Sequence, residues 1–258
     1  TAASLLTAMT RAAENGARFP TRDGETLAGL VDRLSPMFFD ATFEPFVTNK
    51  SPGEGRDLLQ ASANNLYCGV TMADVSGFSE RYGLNSRLSK RDGALVEEVY
   101  RIGGKYGEAI SRIVRHLQDA IPHATPAMAD ALRALIRFYE TGEEADRERY
   151  DIAWVRDQDS PVDTINGFIE VYLDARGIKG AWEALVFYVN HEKTTEIQKL
   201  AANAQWFEDH MPWDAKYKKQ GVKGITANAI DVVIETGDSG PVTPVGINLP
   251  NDQAIREH

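Results

Sequence analysis

The sequence predicts an α+β protein: a mainly helical N-terminal half packed on a smaller, mixed and mainly antiparallel β-sheet region with helices of its own. Three observations predict it. Apolar residues recur at helical spacing through most of residues 94–155. After Asp159-Ser160-Pro161 the pattern changes to short runs rich in β-branched and aromatic residues. No flexible linker marks the change near residue 156, so regions 1–155 and 156–258 are expected to pack together.

Residues 4–15 and 24–34 have the spacing of short helices. Residues 37–46 are irregular but hold four phenylalanines, which predicts core packing. Thr71-Met-Ala-Asp74 reads as a capping box with Asp74 at the position of the usual Glu or Gln, opening a helix to about Tyr82. In residues 94–121, Leu95, Val99, Ile102, Tyr106, Ile110, Ile113, Val114, Leu117 and Ile121 predict one long helix, ended by Pro122. Gly103, Gly104 and Gly107 inside it each cost about 1 kcal/mol against Ala; a close backbone neighbour would offset that. Thr125-Pro126 caps and opens the next helix, which runs through Leu132, Leu135, Ile136 and Tyr139 to Gly142. Residues 143–155 read as a charged surface helix with Tyr150, Trp154 and Val155 on its apolar side and residues 143–149 as a solvated face.

Residues 168–173 are a strand by alternation, with Ile169, Val171 and Leu173 on one face. Residues 174–180 turn the chain and residues 182–189 return as a second strand. A helix over 193–209 and a third strand over 225–236 follow. The sequence Gly-Pro-Val-Thr-Pro-Val-Gly-Ile-Asn-Leu-Pro-Asn, residues 240–251, comes after them. Pro241, Pro244 and Pro250 each fix φ and remove a donor, so the segment is stiff and extended. It presents two amides, Asn248 and Asn251, in a fixed array. That suits recognition of a peptide backbone or terminus. It also suits a structural connection whose amides bond their own backbone.

The net charge of −10 argues against nucleic acid or an anionic membrane as partner, since such binding draws on Lys and Arg. The single cysteine, Cys68, permits no internal disulfide, which fits a reducing compartment. No run approaches the length of a membrane span. The first residues lack a basic, apolar leader and an initiator Met, which reads as a trimmed or excised piece. The expected compartment is the cytoplasm, or the periplasm if the parent carries a signal peptide.

No complete active site is legible. His191-Glu192-Lys-Thr-Thr195 begins like a zinc-peptidase HExxH but has Thr195 where the second ligand belongs. Cys68 has no visible activating partner, and no phosphate-binding glycine loop or nucleophile elbow is present. Catalytic and metal-ligating residues are therefore expected to be absent from this chain.

Several ordered motifs carry a resemblance. Residues 163–174 (Asp-Thr-Ile-Asn-Gly-Phe-Ile-Glu-Val-Tyr-Leu-Asp), 177–183, 203–209, 222–227 and 244–251 resemble the bacterial branch of dipeptidyl peptidase III. So do 82–88 and 95–110, and the likeness covers most of residues 65–258. The resemblance implies a two-lobed zinc exopeptidase that releases dipeptides from peptide N-termini. It implies that the zinc motif, HExxGH with a later glutamate, lies on a catalytic lobe beyond this sequence. The chain itself would then be the substrate-side lobe, with zinc in the parent enzyme, no cofactor of its own and oligopeptides as its ligands. Carried over by position, Asn248 and Asn251 match asparagines that hold the substrate's amino terminus, and Gly246 a glycine passed closely by the peptide backbone. Asp163 falls where animal and fungal members have a glutamate facing the ammonium. Two residues on, Ile165 stands where a tyrosine would stabilise the oxyanion. The alternatives are a peptide-binding module without catalysis and an excised domain that is inert alone.

Overall fold

Two three-stranded sheets, with a helical layer between their sequences, carry the architecture of the chain in its computed structural model. The structure describes residues 1–40, 48–222, 227–240 and 244–256. The α+β class is as expected, but the first half holds a sheet of its own.

Helices α1 (Ala2–Glu14) and α2 (Leu27–Phe39) pack on one another, each N-capped by a threonine side chain. The second runs five residues further than its pattern suggested. Met37, Phe38 and Phe39 end it and are exposed, against the core packing expected of them. The buried residues of the helix are Leu30 and Val31, and among the described residues nothing covers its last turn. Phe43 and Phe46 lie outside the described residues.

The first sheet has the order β1 (Tyr67–Cys68), β2 (Ser86–Arg91), β3 (Ala94–Val99), with β1 parallel to β2 and β3 antiparallel to it. Between β1 and β2, Thr71 and Asp74 form the expected capping box, but α3 (Met72–Val75) is a single turn. Gly77, at φ +87°, ends any continuation toward Tyr82. The expected long helix over 94–121 is replaced by a strand, a turn and a shorter helix, α4 (Gly107–Ala120). Asp92 and Gly93 have φ of +49° and +82°, the left-handed pair that closes a two-residue hairpin with the sheet's own twist. A Cβ on Gly104 would lie 2.4 Å from the Val99 carbonyl oxygen. The glycines thus serve a tight turn, not helix packing.

Helix α5 (Pro126–Thr141) opens on Thr125 and stops at Gly142, φ +72°, as its sequence indicated. Its Leu132, Leu135, Ile136 and Tyr139 form the centre of the main core with Tyr100, Ile110, Val114 and Tyr150. Helix α6 (Glu144–Arg156) follows. Its charged face is not simply solvated. Asp146 and Asp151 are buried, with Asp146 accepting from Thr141 and paired with Arg149, and Asp151 paired with Arg147 at 2.9 Å.

The second sheet has the order β4 (Val162–Glu170), β5 (Ala181–Val189), β6 (Ile230–Gly237), antiparallel throughout. β4 starts six residues before the predicted strand and stops before Tyr172 and Leu173, which are exposed in the turn. Between β5 and β6 the chain forms α7 (His191–Ala202) and α8 (Ala204–Asp209), broken at Asn203 where one helix was expected. A last turn, α9 (Gln253–Arg256), packs on α6. Tyr139 donates to Asn166 Oδ1 at 2.6 Å, a buried bond that ties α5 to β4.

The turn 174–180 joins the two sheets. Lys179 is fully buried, and its Nζ lies 2.5 Å from Glu80, 2.7 Å from Ser86 Oγ and 3.7 Å from Glu97, all from the first sheet's region. Arg176 reaches Glu80 at 2.7 Å. The buried Asp174 accepts from the Tyr67 hydroxyl at 2.8 Å and from the backbone N–H of Ile178 and Lys179. Removing one partner from such a cluster leaves uncompensated charge in a dry site. Lys179→Ala is expected to lower stability by about 3–5 kcal/mol, read as a fall in the urea midpoint at unchanged slope.

Candidate functional site

The segment 244–252 has no regular secondary structure, and its burial alternates from Gly246 to Leu249. Ile247 and Leu249 pack on a cluster of Ile165, Ile169, Leu185 and Phe187 from β4 and β5. Gly246, Asn248 and Asn251 are exposed. Arg256 of α9 reaches back, with Nε donating to the Pro250 carbonyl at 2.5 Å and Nη2 to the Asn248 carbonyl at 3.3 Å. Apolar staples and one guanidinium therefore fix the backbone while the amides stay outside. Among the described residues nothing lies within 4 Å of where a Cβ on Gly246 would stand, so they leave that position open to an approaching chain. Pro241 lies outside the described residues.

Among the described residues the Asn251 amide bonds a side chain and not the loop's own backbone. Its Nδ2 reaches Glu170 Oε1 at 3.4 Å, at the end of β4 just past a register shift between Phe168 and Glu170. The same carboxylate lies near the Tyr172 phenol and raises it above its ordinary range. Two further carboxylates belong to this group. Glu183 on β5 is buried. Its Oε2 accepts from Ser239 Oγ at 2.8 Å, and its Oε1 has no hydrogen-bond partner among the described residues. Burial pushes Glu183 up, and Glu170 and Asp238 add to that. Asp238 is likewise raised by burial and then by Glu170. Asp238 is held in place as its N–H donates to the Trp182 carbonyl at 2.7 Å. Gly237 permits the approach, since a Cβ there would stand 2.1 Å from that oxygen. The arrangement can receive a cation with hydrogen bonds to give: three carboxylates for its charge and the Asn251 amide beside one of them for its direction.

Asp163 sits elsewhere on β4. Its Oδ1 accepts from Trp154 Nε1 at 2.9 Å and from the Thr164 N–H at 2.6 Å. Burial pushes its carboxyl up to about 6, against the pull of those two donors. Ile165 is in the apolar cluster and 5% exposed, so it has no access to a ligand. The carboxylate that meets Asn251 is Glu170, with Tyr172 two residues on. An acid followed two places later by a tyrosine, the pattern looked for at 163 and 165, occurs at 170 and 172. Alternation in the sequence drew attention to this strand, but the register shift before Glu170 and its contact with Asn251 are visible only in the structure.

Among the described residues no group of three His, Cys, Asp or Glu side chains is placed to hold a metal ion, so they do not fit a zinc site. His191 stands in the first turn of α7, and the Thr195 hydroxyl donates to its carbonyl, so that stretch offers one imidazole. Among the described residues no helix is long and apolar enough to cross a membrane.

The model of the family described as Peptidase family M49 matches residues 58–258. Dipeptidyl peptidase 3 of Dictyostelium discoideum is 31% identical over 169 residues, which is 64% of this chain and 23% of that protein. That of Rattus norvegicus is 26% identical over 155 residues, 60% of this chain and 21% of that protein. Among solved structures, DPP III from Caldithrix abyssi superposes with a TM-score of 0.68 at 20% identity, covering 94% of this chain and 46% of that one. Dipeptidyl-peptidase III from Corallococcus sp. strain EGB gives 0.59 at 22%, covering 74% and 37%. The structural likeness bears on the fold. The chain spans less than half the length of each of these proteins.

The raised Asp163 carboxyl has a consequence for stability. Below about pH 4 the group is protonated in both folded and unfolded chains. As the pH rises from there to about 6, the unfolded chain ionises it first, so the folded state loses ground. Above that the penalty is constant. Asp163→Asn keeps an acceptor for Trp154 and removes the charge. It is expected to be more stable than the parent chain near pH 8 by about 1–3 kcal/mol and nearly equal near pH 3.5, measured by urea unfolding at both pH values.

Proposed function

Since the chain belongs to peptidase family M49, we propose that it is the substrate-binding lobe of a zinc-dependent dipeptidyl peptidase that removes dipeptides from the N-termini of oligopeptides. The observation that carries this reading is the meeting of Asn251 with Glu170 beside two further raised carboxylates, on an exposed and braced stretch of chain. An exopeptidase that counts two residues must find the free ammonium. A carboxylate about 4 Å from it gains about 4 kcal/mol at an effective dielectric near 20, whereas a neutral hydrogen bond nets about 1 kcal/mol. Charge therefore sets the register and the amides set the direction.

In this reading Glu170 takes the ammonium, with Glu183 and Asp238 deepening the negative field behind it. Asn248 and Asn251 orient the terminus. The open backbone at Gly246 accepts the peptide as an added extended strand, a mode that serves many sequences because main-chain groups do the binding. Tyr172 supplies an exposed hydroxyl next to the anchored end. Asp163 is set back on Trp154 and supports the strand. Zinc, which polarises a scissile carbonyl and activates water when bound, would come from the rest of the whole protein.

Calorimetry on this chain with a tripeptide and its N-acetylated form tests the anchor directly. The free amine is expected to bind at least about tenfold more tightly, and Glu170→Gln to remove most of that difference, as for loss of one charged hydrogen bond. Equal affinity for the two peptides would sink the reading. In the whole enzyme, Asn248→Ala combined with Asn251→Ala is expected to lower kcat/KM on free-amino peptides by about 10–100-fold.

A further inference from the structure

Glu183 is the most deeply set member of the acidic group. It stands on β5 between Gly167 of β4 and Gly237 of β6 and is 8% exposed. Ser239, itself buried, donates to its Oε2, and Oε1 has no hydrogen-bond partner among the described residues. A carboxylate in that position has lost hydration that one hydroxyl does not replace, so its charged form is costly.

The groups around it add to that cost. Glu170 of β4 pairs with Ala181, two places before Glu183 on β5, which makes the two acids diagonal neighbours. Asp238 directly follows Gly237, the β6 partner of Glu183. Tyr172, past the end of β4, is a neutral phenol on which Glu170 acts most and Glu183 and Asp238 slightly. From α6 comes Arg147, whose Nε is committed to Asp151 at 2.9 and 3.0 Å. Burial holds the Glu183 carboxyl above the ordinary glutamate range; Glu170 and Asp238 add to this, and Ser239 and Arg147 oppose it. Solvent is within reach, because the half-buried Asp238 lies on the wall of a cavity of about 1180 Å³ with Tyr100, Tyr106, Phe168, Leu173 and Trp182.

We propose that Glu183 carries a proton while the site is empty and releases it when a peptide's ammonium settles beside Glu170 and Asn251. The proposal rests on the reading that the ammonium is held there. On arrival the O–H bond of the carboxylic acid breaks, its electron pair stays on the carboxylate, and the proton passes to water. One positive charge replaces another, so the group never holds three uncompensated carboxylates. An N-acetylated terminus brings no charge and leaves the proton in place. Because binding releases a proton, affinity rises with pH. The rise begins in the ordinary glutamate range, about 4.3, and ends where the peptide's own amine titrates, at about 7.7–8.0.

The test is calorimetry on this chain with a tripeptide amide, free and N-acetylated, in pairs of buffers that differ in ionisation enthalpy, which counts the protons released. About 0.5–1 proton per free-amino peptide is expected at about pH 5.5, with affinity rising about three- to tenfold from about pH 5 to about pH 7. Glu183→Gln keeps an acceptor for Ser239 and is expected to lose most of both effects. Ser239→Ala removes the donor that favours the charged form, so release is expected to persist with its midpoint moved to higher pH. Tighter binding of the free amine with no proton released overturns the proposal and leaves the anchor standing. Release that survives Glu183→Gln and disappears in Asp238→Asn belongs to Asp238 and overturns it too, as does a midpoint unmoved by Ser239→Ala. Equal affinity for the two peptides overturns the anchor and the proposal together.

Discussion

A single buried ammonium holds the two sheets in one frame. Lys179 leaves the β4–β5 turn and ends among Glu80, Ser86 and Glu97, where no water reaches it. Isolated, that charge would be forbidding; surrounded by two carboxylates and a hydroxyl it is satisfied. Hydrophobic contact could have joined the sheets in several registers. Directional bonds from Lys179, Arg176 and Asp174 admit one. Glu170 and the cavity wall at Leu173 flank the start of that turn, and Ala181 follows its end. The position of the acidic group therefore follows from a contact that takes no part in binding.

The acidic group has the opposite character. Where Lys179 is compensated, Glu170, Glu183 and Asp238 press on one another, and burial and mutual repulsion raise the last two. Arg147 lowers Glu183 only as a minor influence. Holding like charges together in partial burial costs the fold stability, and under the proposed function an incoming ammonium would relieve it. The same opposition separates Asp163 from Glu170 on one strand. The first is braced by an indole N–H, and the second faces an amide on an exposed loop.

Much of this was legible beforehand, and the failures have physical causes. Thr125-Pro126 and Gly142 bounded α5 because caps and left-handed stops are local chemistry. The stretch from Ala94 failed because residues four apart share a face in a strand as well as in a helix. Leu95 and Val99 fit both periods, and the Asp92-Gly93 hairpin signal was the discriminating feature. Asn248 and Asn251 stood out through their proline frame, and the structure leaves both exposed. The acid beside them did not stand out. Glu170 follows a bulge, and a bulge changes which way a side chain points without changing the alternation around it. The ring-lined cavity draws on segments far apart in sequence, so no local pattern announces it.

The two-faced loop bears on how damage to this protein would present itself. Ile247 and Leu249 grip the sheet, and Arg256 ties the carbonyls of Asn248 and Pro250. Together the three set where the exposed Asn248 and Asn251 stand. Under the proposed function, genetic changes at those anchoring positions would mimic loss of a recognition residue.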